Sequence, residues 1–68
     1  MKEILKMKRK FKNNTCIRLG LSIFTVSKGY IVRLGQKDPS TNQVLVEFPD
    51  TGIDWFYIPY ILAITEEV

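Results

Sequence analysis

Gln43-Val44-Leu45-Val46-Glu47-Phe48-Pro49-Asp50-Thr51-Gly52-Ile53-Asp54-Trp55-Phe56-Tyr57 reads as two strands and the turn that joins them. Val44, Val46 and Phe48 recur with period two, which in an extended chain sends all three to one face. Pro49-Asp50-Thr51-Gly52 is a tight connection, because glycine accepts the positive φ that such turns require. The run Ile53 to Ile58 is again strongly β-prone. Here the pattern changes character. If Trp55 and Tyr57 face inward, Phe56 and Ile58 face outward, and the reverse register exposes Trp55 and Tyr57. Either way one strand carries bulky rings on both sides, and a small domain has one interior. The outward side needs cover from the chain itself or from a partner.

Outward from this pair of strands, the alternation continues on both sides. Thr15-Cys16-Ile17-Arg18-Leu19 places Ile17 and Leu19 on one face and ends at Gly20. Residues 21–28 hold Ile23, Phe24 and Val26 in a polar setting and read as a long loop folding back on the core. Tyr30-Ile31-Val32-Arg33-Leu34 is a strand closed by Gly35, and Asp38-Pro39-Ser40-Thr41-Asn42 is a polar turn. Downstream, Pro59-Tyr60-Ile61-Leu62 predicts one helical turn, since proline tolerates the first turn of a helix. Ala63-Ile64-Thr65 predicts a short closing strand. The expected fold class is therefore all-β, with five short strands, one long first loop and a helical turn before the last strand. Residues 1–12 are expected as a basic N-terminal extension, docking as a short helix or an extra strand, and residues 13–68 as the domain. Met7, followed by Lys8-Arg9-Lys10, also reads as an alternative start.

Several runs carry a resemblance to SH3-like small barrels. Lys28-Gly29-Tyr30-Ile31-Val32 is similar to the "G-x-I/V-V" second strand of KOW-type and other bacterial SH3-like domains. Val44-Leu45-Val46-Glu47-Phe48 looks like their central "V-x-V-x-F" strand. Asp54-Trp55, followed by Ile58-Pro59 and Tyr60, resembles the tryptophan and the "I-P-x-x-Y" region of SH3 domains. The resemblance spans residues 15–65 and implies a small five-stranded barrel. It also implies a groove in which Tyr30, Trp55 and Tyr60 would receive proline-rich peptides. The "A-L-Y-D-Y" run that completes that groove has no counterpart near residues 15–20.

Composition narrows the chemistry. The chain has 68 residues, room for one domain. There is no histidine and one cysteine, Cys16, so neither a Ser-His-Asp nor a Cys-His arrangement is available. The four glycines stand singly, which excludes a phosphate-cradling loop. Asp50 and Asp54 fall short of a calcium-loop pattern. The expectation is a protein without catalysis, metal or cofactor. A lone thiol points to a reducing cytoplasm, and no stretch approaches a membrane span.

Charge is uneven. Six of the ten cations lie in residues 1–12, against Glu3 alone, and residues 13–68 are slightly acidic. Lys6, Lys8, Arg9, Lys10 and Lys12 are thus candidates for phosphate contact through a tail. The stronger expectation is a protein-binding module acting through Trp55, Phe56, Tyr57 and Tyr60, with Phe24 from the first loop, because Trp and Tyr are over-represented in interfaces. The partner is a second protein or a second copy. A homodimer fits a small core that no disulfide supports. An accessory subunit and an inhibitor carried by a phage or mobile element both match this size and composition.

Overall fold

Seven strands and one helix follow one another as β1 (Met7–Phe11), β2 (Thr15–Leu19), β3 (Ser22–Val26), β4 (Ile31–Asp38), β5 (Gln43–Phe48), β6 (Gly52–Tyr57), α1 (Ile58–Ile64) and β7 (Thr65–Glu67). They come from a computed structural model that describes residues 7–68; Lys6 and the rest of residues 1–6 lie outside the described residues. The chain is mostly β, as its alternation predicts. Five strands form an antiparallel sheet in the order β6-β5-β4-β1-β7, and β2 and β3 form a separate hairpin.

Several sequence expectations change. The closed five-stranded barrel is replaced by a five-stranded sheet and a two-stranded one, with no ladder between them among the described residues. The long loop over residues 21–28 is in fact largely strand. Leu19 stands opposite Ser22, so Gly20-Leu21 is a two-residue turn, and Gly20 has φ +62°. A glycine at that place lets the chain reverse at once. β3 then alternates, with Val26 buried, Phe24 half-buried and Ile23 and Thr25 exposed. Residues 7–11 of the expected extension are an inner strand, paired with β4 on one side and β7 on the other. Alternation explains how so basic a run reaches the middle of a sheet: Phe11 points into the core, and Lys8 and Lys10 point outward.

The helical region is also longer than one turn, seven residues with Pro59 in its first turn; it takes in Ala63 and Ile64, expected in the closing strand, which instead runs Thr65–Glu67. Asn42 adopts φ +58° before β5, a conformation that asparagine tolerates better than most residues. At the same turn the Ser40 N–H and hydroxyl both donate to Asp38, at 3.1 and 2.8 Å. Those bonds favour the charged form and hold the Asp38 carboxyl below its ordinary value.

The core lies between the inner face of the sheet, the hairpin and α1. Phe11, Ile17, Val26, Val32, Leu34, Val44, Val46, Phe48 and Ile61 are all buried. Val44, Val46, Phe48 and Ile17 are the residues that alternation predicts to face inward. One polar group joins them. The hydroxyl of Thr65 donates to the Ile61 carbonyl at 2.6 Å and accepts from Arg9 Nε at 2.8 Å, while Arg9 Nη2 donates to the Thr65 carbonyl at 2.9 Å. The guanidinium therefore ties β1 to the junction of α1 and β7. Removing one partner of a part-buried, charge-assisted bond costs up to about 1.5–3 kcal/mol. Thr65→Val and Arg9→Met are each expected to lower unfolding free energy in urea by roughly that amount. The double variant should lose less than the sum of the two, because both remove the same interaction.

Candidate functional site

β6 places its residues by strict alternation. Phe56 packs inward on Phe48, with ring centroids 5.6 Å apart, and Ile58 joins the same core. That fixes the parity of the strand. Ile53, Trp55 and Tyr57 face outward, with 49%, 40% and 61% of their surface exposed. Across the ladder they stand opposite Glu47, Leu45 and Gln43 respectively. The outer face therefore carries an apolar row along its edge strand, with Leu45 beside Trp55.

The five aromatic residues singled out from sequence thus divide. Trp55 and Tyr57 share the outer face, two residues apart on one strand. Tyr60 is exposed as well, but on α1. Phe56 and Phe24 belong to the interior, where Phe24 meets Phe48 edge-on at 5.7 Å. Ile53 and Leu45 complete the outer row, and sequence reading passed over both. The signal was present in the period-two spacing of residues 53, 55 and 57, once the parity is known.

The basic candidates divide too. Arg9 is spent on Thr65. Lys8 and Lys10 project from the outer face, opposite Arg33 and Ile31 on β4. Glu47 stands opposite Arg33, and Glu66 opposite Lys10. Lys12 is exposed just past the end of β1.

Two clefts open among the described residues. One, of about 210 Å³, lies between the sheet and α1 and is lined by Met7, Arg9, Leu34, Lys37, Ile61 and Glu67 among others. A second, of about 220 Å³, lies against β3 and is lined by Phe24, Thr25, Tyr30 and Asp50 among others. Both are smaller than the usual 300–1,000 Å³ of a small-molecule site. Among the described residues no three Cys, Asp or Glu side chains cluster to hold a metal ion, and no helix is long and apolar enough to cross a membrane. Cys16 is free and exposed on β2.

Compared with known proteins, the chain matches no family model, and no curated protein or solved structure is significantly similar to it.

Residues that face solvent contribute little to folding, whereas truncating a buried Phe costs about 3–5 kcal/mol. Trp55→Ser and Tyr57→Ser are each expected to cost clearly less than Phe48→Ala in urea unfolding followed by circular dichroism, with Phe48→Ala in the large range. A Trp55→Ser cost equal to that of Phe48→Ala would place the indole in the core.

Proposed function

We propose that this chain is a non-catalytic, SH3-like protein-binding module that meets its partner through the outer face of β6. The strand order β6-β5-β4-β1-β7, with a hairpin inserted between β1 and β4, supports the SH3-like reading. The observation that carries the functional reading is the row Ile53, Trp55 and Tyr57, three large apolar side chains left half open on one face. Exposed apolar residues are ordinary singly, but a contiguous row containing Trp and Tyr is the composition of an interface centre. A binding subunit or an inhibitor needs no catalytic group. The exposed thiol of Cys16 fits a reducing cytoplasm.

A second reading has its own support. Lys8, Lys10 and Arg33 share the outer face with the exposed rings, and aromatic residues beside cations are how single-stranded nucleic acid is held. Glu47 and Glu66 on the same face weigh against it.

Salt separates the two. A contact built on apolar burial changes little between low and moderate ionic strength, whereas phosphate binding falls steeply. Immobilised protein is expected to retain a protein partner from cell extract at both ionic strengths. Trp55→Ser and Tyr57→Ser should release it, and Arg18→Ser, on the hairpin, should not. Retention unchanged by both aromatic variants would remove the β6 face from the contact. Capture of nucleic acid with a steep salt dependence would favour the second reading.

A further inference from the structure

We propose that the free edge of β6 is a strand-addition site for a second copy of this chain, gated by the carboxylate of Asp54. The proposal rests on the outer row of β6 being a contact surface and adds which backbone groups make the contact.

Ile58 N–H donates to the Asn42 carbonyl at 3.0 Å. That pair continues the β5–β6 register, in which Tyr57 stands opposite Gln43 and Phe56 opposite Val44. Antiparallel ladders exchange bonds at every second residue. Residues 54, 56 and 58 therefore turn their N–H and C=O groups toward β5, and residues 53, 55 and 57 turn theirs away from it. Among the described residues β6 is the last strand on its side of the sheet, so the groups of Ile53, Trp55 and Tyr57 face an edge that no described strand covers. β2 approaches the start of β6, where Leu19 lies beside Gly52, but forms no ladder with it. The residues with free backbone groups are the same three whose side chains make the exposed row.

One of those groups is occupied. Trp55 N–H donates to Oδ1 of Asp54 at 2.7 Å. The carboxylate of the preceding residue stands where the carbonyl of an added strand would accept. A charged side chain on an edge strand is a known guard against uncontrolled pairing. Here it covers the central donor of the edge.

An antiparallel copy of β6 can be centred on that donor without setting like charges opposite each other. An antiparallel pair centred on Trp55 sets Trp55 opposite its own counterpart, as a hydrogen-bonded pair that exchanges two bonds. Ile53 then faces the counterpart of Tyr57, and Asp54 faces the counterpart of Phe56. The two Asp54 carboxylates are never opposite each other, and like charges directly opposite are what such pairing must avoid. A centre at Ile53 would run into the Asp50-Thr51 turn, and a centre at Tyr57 would run into α1. Trp55 is the centre that uses all three open residues.

Sedimentation equilibrium of the full chain over a wide concentration range tests this. Asp54→Ala uncovers the Trp55 donor and is expected to move the monomer–dimer midpoint to about tenfold lower concentration than in the parent. Ile53→Pro removes an edge N–H but no bond to β5, a position at which an edge strand accepts proline; it is expected to abolish association, while Ile53→Ala only weakens it. Circular dichroism confirms that each variant is folded, and protection of the Trp55 amide in the Asp54→Ala dimer marks the pairing itself. An Asp54→Ala chain that stays monomeric at its highest soluble concentration overturns the proposal. Association that ignores Asp54→Ala and responds equally to Ile53→Ala and Ile53→Pro also overturns it, while leaving the outer row as a contact surface made by side chains alone.

Discussion

The ring of Phe48 meets four other aromatic rings: Phe11 of β1, Phe24 of β3, Tyr30 just before β4, and Phe56 of β6. A chain this short has little apolar area to bury, and one side chain here joins the five-stranded sheet to the hairpin. It also decides the surface. Because Phe56 is held against Phe48, alternation leaves Ile53, Trp55 and Tyr57 no place but the outside. The exposed row is therefore a consequence of how the interior is filled.

The other end of the core is closed by polar chemistry. β1 lies between β4 and β7, so both ends of the described chain pair with each other at one side of the sheet. The β1–β7 junction is held by Arg9 and Thr65, with the Thr65 hydroxyl used as donor and acceptor at once. This keeps a basic strand inside a folded domain: Arg9 is satisfied at the core's edge, while Lys8 and Lys10 keep their charges in water. The sheet is thus supported at β7 by hydrogen bonds and at β5 by packing. The other edge strand of the sheet is β6.

Alternation alone made much of this legible. Val44, Val46, Phe48 and Ile17 lie inside as their spacing requires, and the Pro59 turn is helical. What remained hidden has physical reasons. Lys8-Arg9-Lys10 masks β1, because a run of cations reads as solvated chain unless its two neighbouring strands are known. The Gly20-Leu21 turn masks β3, since a two-residue loop depends on a positive φ that sequence signals only weakly. The parity of β6 is ambiguous by its nature. Rings occur on both sides, and only the contact between Phe56 and Phe48, eight residues apart and across a ladder, selects one. Phe24 follows the same rule, drawn inward by the hairpin that sequence took for a loop. The bond from Trp55 N–H to Asp54 is local, yet its meaning depends on which residues of β6 face β5.

Amide hydrogen exchange in dilute protein, followed residue by residue by NMR, reads that parity most directly. The amides of Asp54, Phe56 and Ile58 should exchange slowly, because they bond to β5. Those of Ile53 and Tyr57 should exchange fast, with Trp55 slowed between the two groups by its carboxylate. Slow exchange at residues 53 and 57 with fast exchange at 54, 56 and 58 would show the strand turned over, with Trp55 and Tyr57 on the inside. The exposed row and the open edge would then both be lost.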